Sequence, residues 1–87
     1  MHVDVIIWDL DDKSDGNVQH IAEHGVSKEE VEDVFRDPDS IQTTSRSSGL
    51  PLFIGYTTDG RRLAVVFEHV DDSPLTVRPI TAYDVED

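Results

Sequence analysis

The sequence predicts an α+β domain in which two early helices pack on one face of a mainly antiparallel sheet, in the order β-α-α-β-β-β-β. Three observations predict it. His24-Gly25-Val26-Ser27-Lys28-Glu29-Glu30 writes the end of one helix and the start of the next. Asp59-Gly60 is a strong hairpin signal between two apolar runs. Leu63-Ala64-Val65-Val66-Phe67 is apolar without interruption, which suits a strand in mid-sheet with both faces covered.

The elements follow in order. Val3 to Trp8 is rich in β-branched residues and reads as a first strand, with Trp8 in the core on the parity of Ile6 and with Val3, Val5 and Ile7 on the other face. Asp9 to Ser14 reads as an acidic, solvated loop. A first helix runs from about Asp15 to His24, its buried stripe set by Val18, Ile21 and Ala22 at i, i+3 and i+4. Gly25 can take the left-handed conformation that ends a helix. Ser27 and Glu30 have capping-box spacing, and Val26 and Val31 have hydrophobic-staple spacing. The second helix therefore spans Ser27 to Asp37, with Val31, Val34 and Phe35 inward, and Asp37-Pro38-Asp39 stops it. Ile41 to Ser45 reads as a short polar strand, Leu52 to Thr57 and Arg62 to His69 as a hairpin, and Leu75 to Tyr83 as the last strand. Pro79 cannot donate to a ladder, so that last strand is an edge or carries a bulge.

Composition narrows the chemistry. The 87 residues make one domain, 1–87, with a small core. With 19 acids against 7 bases, the net charge is −12, which repels nucleic acid and anionic membranes at long range and favours basic partners or cations. The same acidity also fits a highly solvated surface or a salt-adapted composition, in keeping with only two lysines, Lys13 and Lys28. The absence of cysteine excludes disulfides, thiolate catalysis and cysteine–zinc sites. No apolar run approaches membrane-spanning length and the N-terminus does not read as a signal peptide, so a cytoplasmic location without membrane association is expected. No phosphate-binding glycine motif or nucleophile elbow is present, and no cofactor is expected.

A family resemblance covers most of the chain. Ile6-Ile7-Trp8-Asp9, His24-Gly25-Val26-Ser27-Lys28-Glu29-Glu30 and Val34-Phe35-Arg36-Asp37-Pro38 resemble the BrnT family of toxins. So do Phe53-Ile54-Gly55-Tyr56-Thr57, Asp59-Gly60-Arg61-Arg62-Leu63-Ala64-Val65-Val66 and the closing Val77-Arg78-Pro79-Ile80-Thr81-Ala82-Tyr83. The resemblance implies a RelE-like fold and the toxin half of a type II toxin–antitoxin pair: a small metal-independent ribonuclease held inactive by an antitoxin partner. The chain departs from the family pattern at Glu23, where a lysine is common, and at Tyr83, near the position of a late arginine. It also has a longer interval between Trp8 and His24, and it ends in the acidic Asp84-Val85-Glu86-Asp87 rather than a basic tail.

Cleaving RNA without a metal requires a base for the 2′-hydroxyl proton, cations for the phosphate and an acid for the leaving oxygen. His24 is the candidate base, Arg62 and Arg78 the candidate clamps and Tyr83 the candidate acid or stacking platform. Each has a structural alternative. His24 can serve a helix C-terminus, the arginines can pair with abundant carboxylates, and Tyr83 can be a half-buried edge-strand residue. Arg61 is assigned to carboxylate pairing, because its neighbour Arg62 points to the opposite side in extended chain. His20 and His24 have helical i, i+4 spacing, but a zinc site would need further ligands such as His2 or His69. Two functions are thus expected in competition: a BrnT-like ribonuclease that binds RNA, and a non-catalytic acidic domain of the same fold that binds a basic, antitoxin-like protein partner.

Overall fold

In this computed structural model, which describes residues 3–86, the chain forms β1 (Val5–Ile6), α1 (Asn17–Glu23), α2 (Lys28–Arg36), β2 (Ile41–Thr44), β3 (Pro51–Tyr56), β4 (Arg62–Asp72) and β5 (Leu75–Asp84). The strands make one sheet in the order β1-β5-β4-β3-β2. Four of them are joined antiparallel, and β1 alone pairs parallel, with Val5 opposite Thr76 and Ile6 opposite Val77. The α+β architecture and the element order agree with the sequence.

Local signals account for the corner between the helices. Gly25 has φ 72° and its N–H donates to the Ala22 carbonyl, while the Val26 N–H reaches the Ile21 carbonyl. That is a Schellman closure, in which a left-handed glycine lets two orphan carbonyls be satisfied. Ser27 Oγ then accepts from the Glu30 N–H at 3.2 Å, and Glu30 Oε1 accepts from the Ser27 N–H at 3.0 Å. The capping box is complete in both directions.

Several boundaries differ from expectation. The first strand is confined to Val5–Ile6 instead of Val3 to Trp8. The chain leaves the ladder after the Ile7 N–H donates to Val77, because Asp9 turns toward α1. The strand parity expected of Val3 also fails: Val3 lies ahead of the two-residue strand and packs with Ile6 and Trp8 against the helix-side core. Trp8 is partly buried and its Nε1 donates to Glu32 Oε2 at 3.3 Å. The first helix starts at Asn17 and not Asp15, because Gly16 is its N-cap. The second helix loses Ser27 and Asp37 to its caps.

Pro79 behaves as its chemistry demands. β5 lies between β1 and β4, so it is not an edge, and the register with β4 shifts between Val66 and Phe67. Thr81 faces Val66 and Pro79 faces Phe67, which leaves Ile80 as the extra residue of a bulge. Val77 and Ala82 have opposite parity, yet both lie in the helix-side core. The inserted residue makes that possible.

The core has two unequal layers. On the helix side Ile21, Val31, Val34 and Phe35 pack on Phe53, Leu63, Val65, Phe67, Val77 and Ala82. Phe35, Phe53 and Phe67 form a triangle with ring centres 5.2–5.4 Å apart, the tilted and edge-on geometry that aromatic quadrupoles favour. The far side is thinner: Leu52, Ala64 and Val66, flanked by Leu50, Ile54, Ile80 and Val85. β4 is thus covered on both faces, by helices on one and by this small cluster on the other. Beyond the cluster, Ile41, Tyr56 and Tyr83 stand exposed on the strands.

Candidate functional site

The chemistry-bearing side chains fall into three groups. The first joins α1 to the end of β1 and to β5 just before its bulge. Asn17 is buried and exchanges two hydrogen bonds with Asp9: the Asp9 N–H donates to Asn17 Oδ1 and the Asn17 N–H donates to Asp9 Oδ2, each at 2.9 Å. Asn17 Nδ2 donates to the carbonyls of Ile7 and Pro79, each at 3.0 Å. Arg78 Nη2 completes the group, donating to Asp9 Oδ2 at 2.6 Å. A Cβ on Gly16 would lie 2.8 Å from Asp9 Cβ, so the close approach of loop and helix requires glycine there. Asp9, expected in a solvated acidic loop, is therefore enclosed, with only 16% of its side chain exposed. A cleft of about 210 Å³ beside this group is lined by Asp15, Gly16, Asn17, His20, Arg78 and Ile80.

The second group centres on Arg61. Its Nε and Nη2 grip the two oxygens of Asp84 at 2.6 and 2.7 Å. Nη1 donates to the Gly25 carbonyl at 2.7 Å and to Glu30 at 3.0–3.1 Å. One guanidinium thus ties the β3–β4 hairpin to the helix corner and to the end of β5. The two carboxylates hold its pKa above the ordinary arginine range, Asp84 first. Arg61 pairs with carboxylates, as its sequence position suggested.

The third group is on the open sheet face. Arg62 and Tyr83 lie on the same side of the sheet as Ala64, which faces Tyr83 across the β4–β5 ladder. Arg62 Nη1 donates to the Glu86 carbonyl at 3.3 Å. Tyr83 is 38% exposed, on the part of β5 that pairs with β4 and lies beyond its pairing with β1. It lines a cleft of about 460 Å³ with Thr43, Thr44, Ser45, Arg46, Ser47 and Leu52.

Of the four residues expected to form one catalytic set, Arg62 and Tyr83 share a face, Arg78 lines the α1 cleft, and His24 lines neither cleft. His24 is the exposed C-cap of α1, its ring 5.6 Å from that of His20 in an edge-on arrangement. Asn17 and Arg46 were not singled out by sequence reasoning. Nothing local marks Asn17, whose partners lie 8, 10 and 62 residues away. For Arg46 the available signal was a lone cation within a run of hydroxyl residues, Thr43-Thr44-Ser45-Arg46-Ser47.

Among the described residues no group of three or more His, Asp or Glu side chains is placed to hold a metal ion. His69 pairs with Asp72 at 2.8 Å, and His2 lies outside the described residues. No helix among them is long and apolar enough to cross a membrane.

Four aspartates are held below the usual carboxylate range. The Asn17 backbone N–H does this for Asp9, with help from Arg78. The Tyr56 and then Asp39 backbone N–H groups do it for Asp37, the Thr57 hydroxyl for Asp59, and Arg61 for Asp84. A carboxyl whose pKa is depressed on folding adds stability that is complete above its unfolded value, about 3.9, and is lost as pH falls through the folded value. The urea midpoint is accordingly expected to be level near pH 6 and to drop steeply below about pH 4. An unchanged midpoint at about pH 3 would show that these contacts do not favour the ionised form.

A scan against protein-family models found no match, and searches of curated proteins and of solved structures returned no significant match. The likeness to BrnT toxins therefore rests on the sequence motifs quoted above.

Proposed function

We propose that this chain is a non-catalytic, BrnT-like interaction domain whose partner is a basic, antitoxin-like protein segment. One observation carries the reading: Arg78, one of the two candidate phosphate clamps, and the neighbouring cation Arg61 are committed to carboxylates of the protein itself. Arg78 is bound to Asp9 and Arg61 to Asp84 and Glu30. What remains outward is mostly acid, in a chain of net charge −12. A surface of that sign attracts a basic segment and repels RNA phosphates. His24 lines neither cleft, so a base at this position does not share a cleft with Arg78, Arg46 or Tyr83.

The test is a pair of assays on the purified chain. A structured RNA is expected to survive incubation with stoichiometric protein. A lysine- and arginine-rich peptide is expected to bind at about 0.05 M salt and to be released near 0.5 M. RNA cleavage would overturn the reading.

A second reading has its own support. The Tyr83 cleft is lined by hydroxyls, one arginine, Leu52 and no carboxylate, whereas the α1 cleft contains Asp15. An anion meets less repulsion there, and a phenol and a guanidinium are available to it. If RNA is cleaved, and if Tyr83→Phe and Arg46→Ala each abolish cleavage while the protein stays folded, the ribonuclease reading replaces the first.

A further inference from the structure

The geometry points to the groove between α1 and α2 as the docking surface for an amphipathic basic segment, one that lays apolar side chains on the groove floor and lysines or arginines on its rim. This inference rests on the interaction-domain reading and says where on the molecule the partner sits.

The groove has a volume of about 440 Å³, within the usual size of concave recognition sites, about 300–1,000 Å³. Its floor is apolar: Val18 and Ala22 from α1, and Val26 from the corner. Ala22 belongs to the stripe expected to be buried, yet it is exposed, because α1 turns Ile21 toward the sheet and leaves the Val18–Ala22 side uncovered. Leu10, 75% exposed, is in the loop that supplies Asp11 to the rim. The apolar floor is a surface that water does not favour.

The charge of the rim selects the occupant. Asp11 and Glu29 line the groove, and Asp12 and Glu23 adjoin it along the chain, both exposed. Lys28 Nζ reaches Asp11 Oδ1 at 2.9 Å, so the chain already places one of its two lysines where an incoming ammonium would sit. A second copy is a poor occupant, because two chains at −12 repel. An acidic or neutral segment gains nothing from the rim. A basic amphipathic helix satisfies floor and rim together, in the manner of helix-in-groove recognition.

The experiment uses the full chain and two synthetic peptides of equal positive charge. One is a helix with leucines at i, i+3 and i+4 among lysines, and the other has serine in place of each leucine. Binding is measured by calorimetry on wild type, Ala22→Arg, Glu29→Lys, Lys28→Gln and Asp39→Lys, each checked for fold by circular dichroism. Asp39→Lys alters net charge as much as Glu29→Lys but at the far end of α2, so it serves as the control. The leucine peptide is expected to bind wild type about tenfold more tightly than the serine peptide. Ala22→Arg and Glu29→Lys are expected to weaken it by about tenfold, and Asp39→Lys by less than about twofold. Lys28→Gln frees Asp11 and is expected to tighten binding by about two- to fivefold, an effect misfolding cannot mimic. Equal binding across all variants, or equal binding of the two peptides, would overturn the groove while leaving a basic partner in place. Failure of both peptides to bind wild type would remove the interaction-domain reading itself.

Discussion

Replacing Asn17 with alanine is expected to lower the melting temperature by roughly 12–24 °C, the equivalent of about 3 kcal/mol in a domain of this size. The side chain is 3% exposed and hydrogen-bonds three backbone groups: the Ile7 and Pro79 carbonyls and the Asp9 N–H. Alanine deletes the partners and leaves the groups inside, the costly side of the hydrogen-bond asymmetry. The loss also spreads. Asp9 is held by its exchange with Asn17, and Arg78 is held by Asp9, so the loop, the start of α1 and the bulge of β5 loosen together. Asn17→Asp keeps the shape and the acceptor but sets a second carboxylate against Asp9, so it is expected to be no more stable than the alanine variant at pH 7. Thermal melts followed by far-UV circular dichroism decide the matter; a shift under about 2 °C would show that the contacts add little to the fold.

Arg61→Met is expected to cost about 2 kcal/mol, a fall of roughly 8–16 °C. Methionine keeps much of the stem and removes the donor fork, so the loss reports the charge-assisted bonds and not packing. The side chain is 26% exposed, so solvent screens each bond, but the geometry to Asp84 is bidentate and the same guanidinium also serves Glu30 and the Gly25 carbonyl. Its removal leaves Asp84 and Glu30 without their shared cation in a chain already at −12. That repulsion is screened by salt, so the deficit is expected to shrink as sodium chloride is raised from about 0.05 to 0.5 M. A deficit independent of salt would mean that the bonds matter through geometry and not through charge.

The parts of the fold legible in the sequence are those whose causes are local. Ser27, Glu30 and Gly25 specify the helix corner within a few residues, and both the capping box and the left-handed glycine are present. Pro79 limits the ladder wherever it falls, and the bulge follows from that. The uninterrupted apolar run from Leu63 to Phe67 marks a strand buried on both faces. The parallel docking of β1 on β5 was not legible, because it depends on residues about 71 apart and on Asp9 leaving the strand. For the candidate site the limit is the same. Residue type identified Arg62, Arg78 and Tyr83 as chemically able, but which carboxylate neutralises which arginine is settled by tertiary neighbours. In sequence Arg78 could either clamp a phosphate or pair with a carboxylate; in the fold it is bound to Asp9, a residue 69 positions away.

The pairing of β1 with β5 has a consequence for synthesis. The first strand has no neighbour until Leu75, Thr76 and Val77 have been made, and Asn17 waits for the carbonyl of Pro79. A nascent chain leaving the ribosome therefore carries an unseated amino-terminal segment while the hairpins behind it assemble. Truncation ahead of Leu75 undoes both termini at once: it deletes the last strand and sets the first adrift.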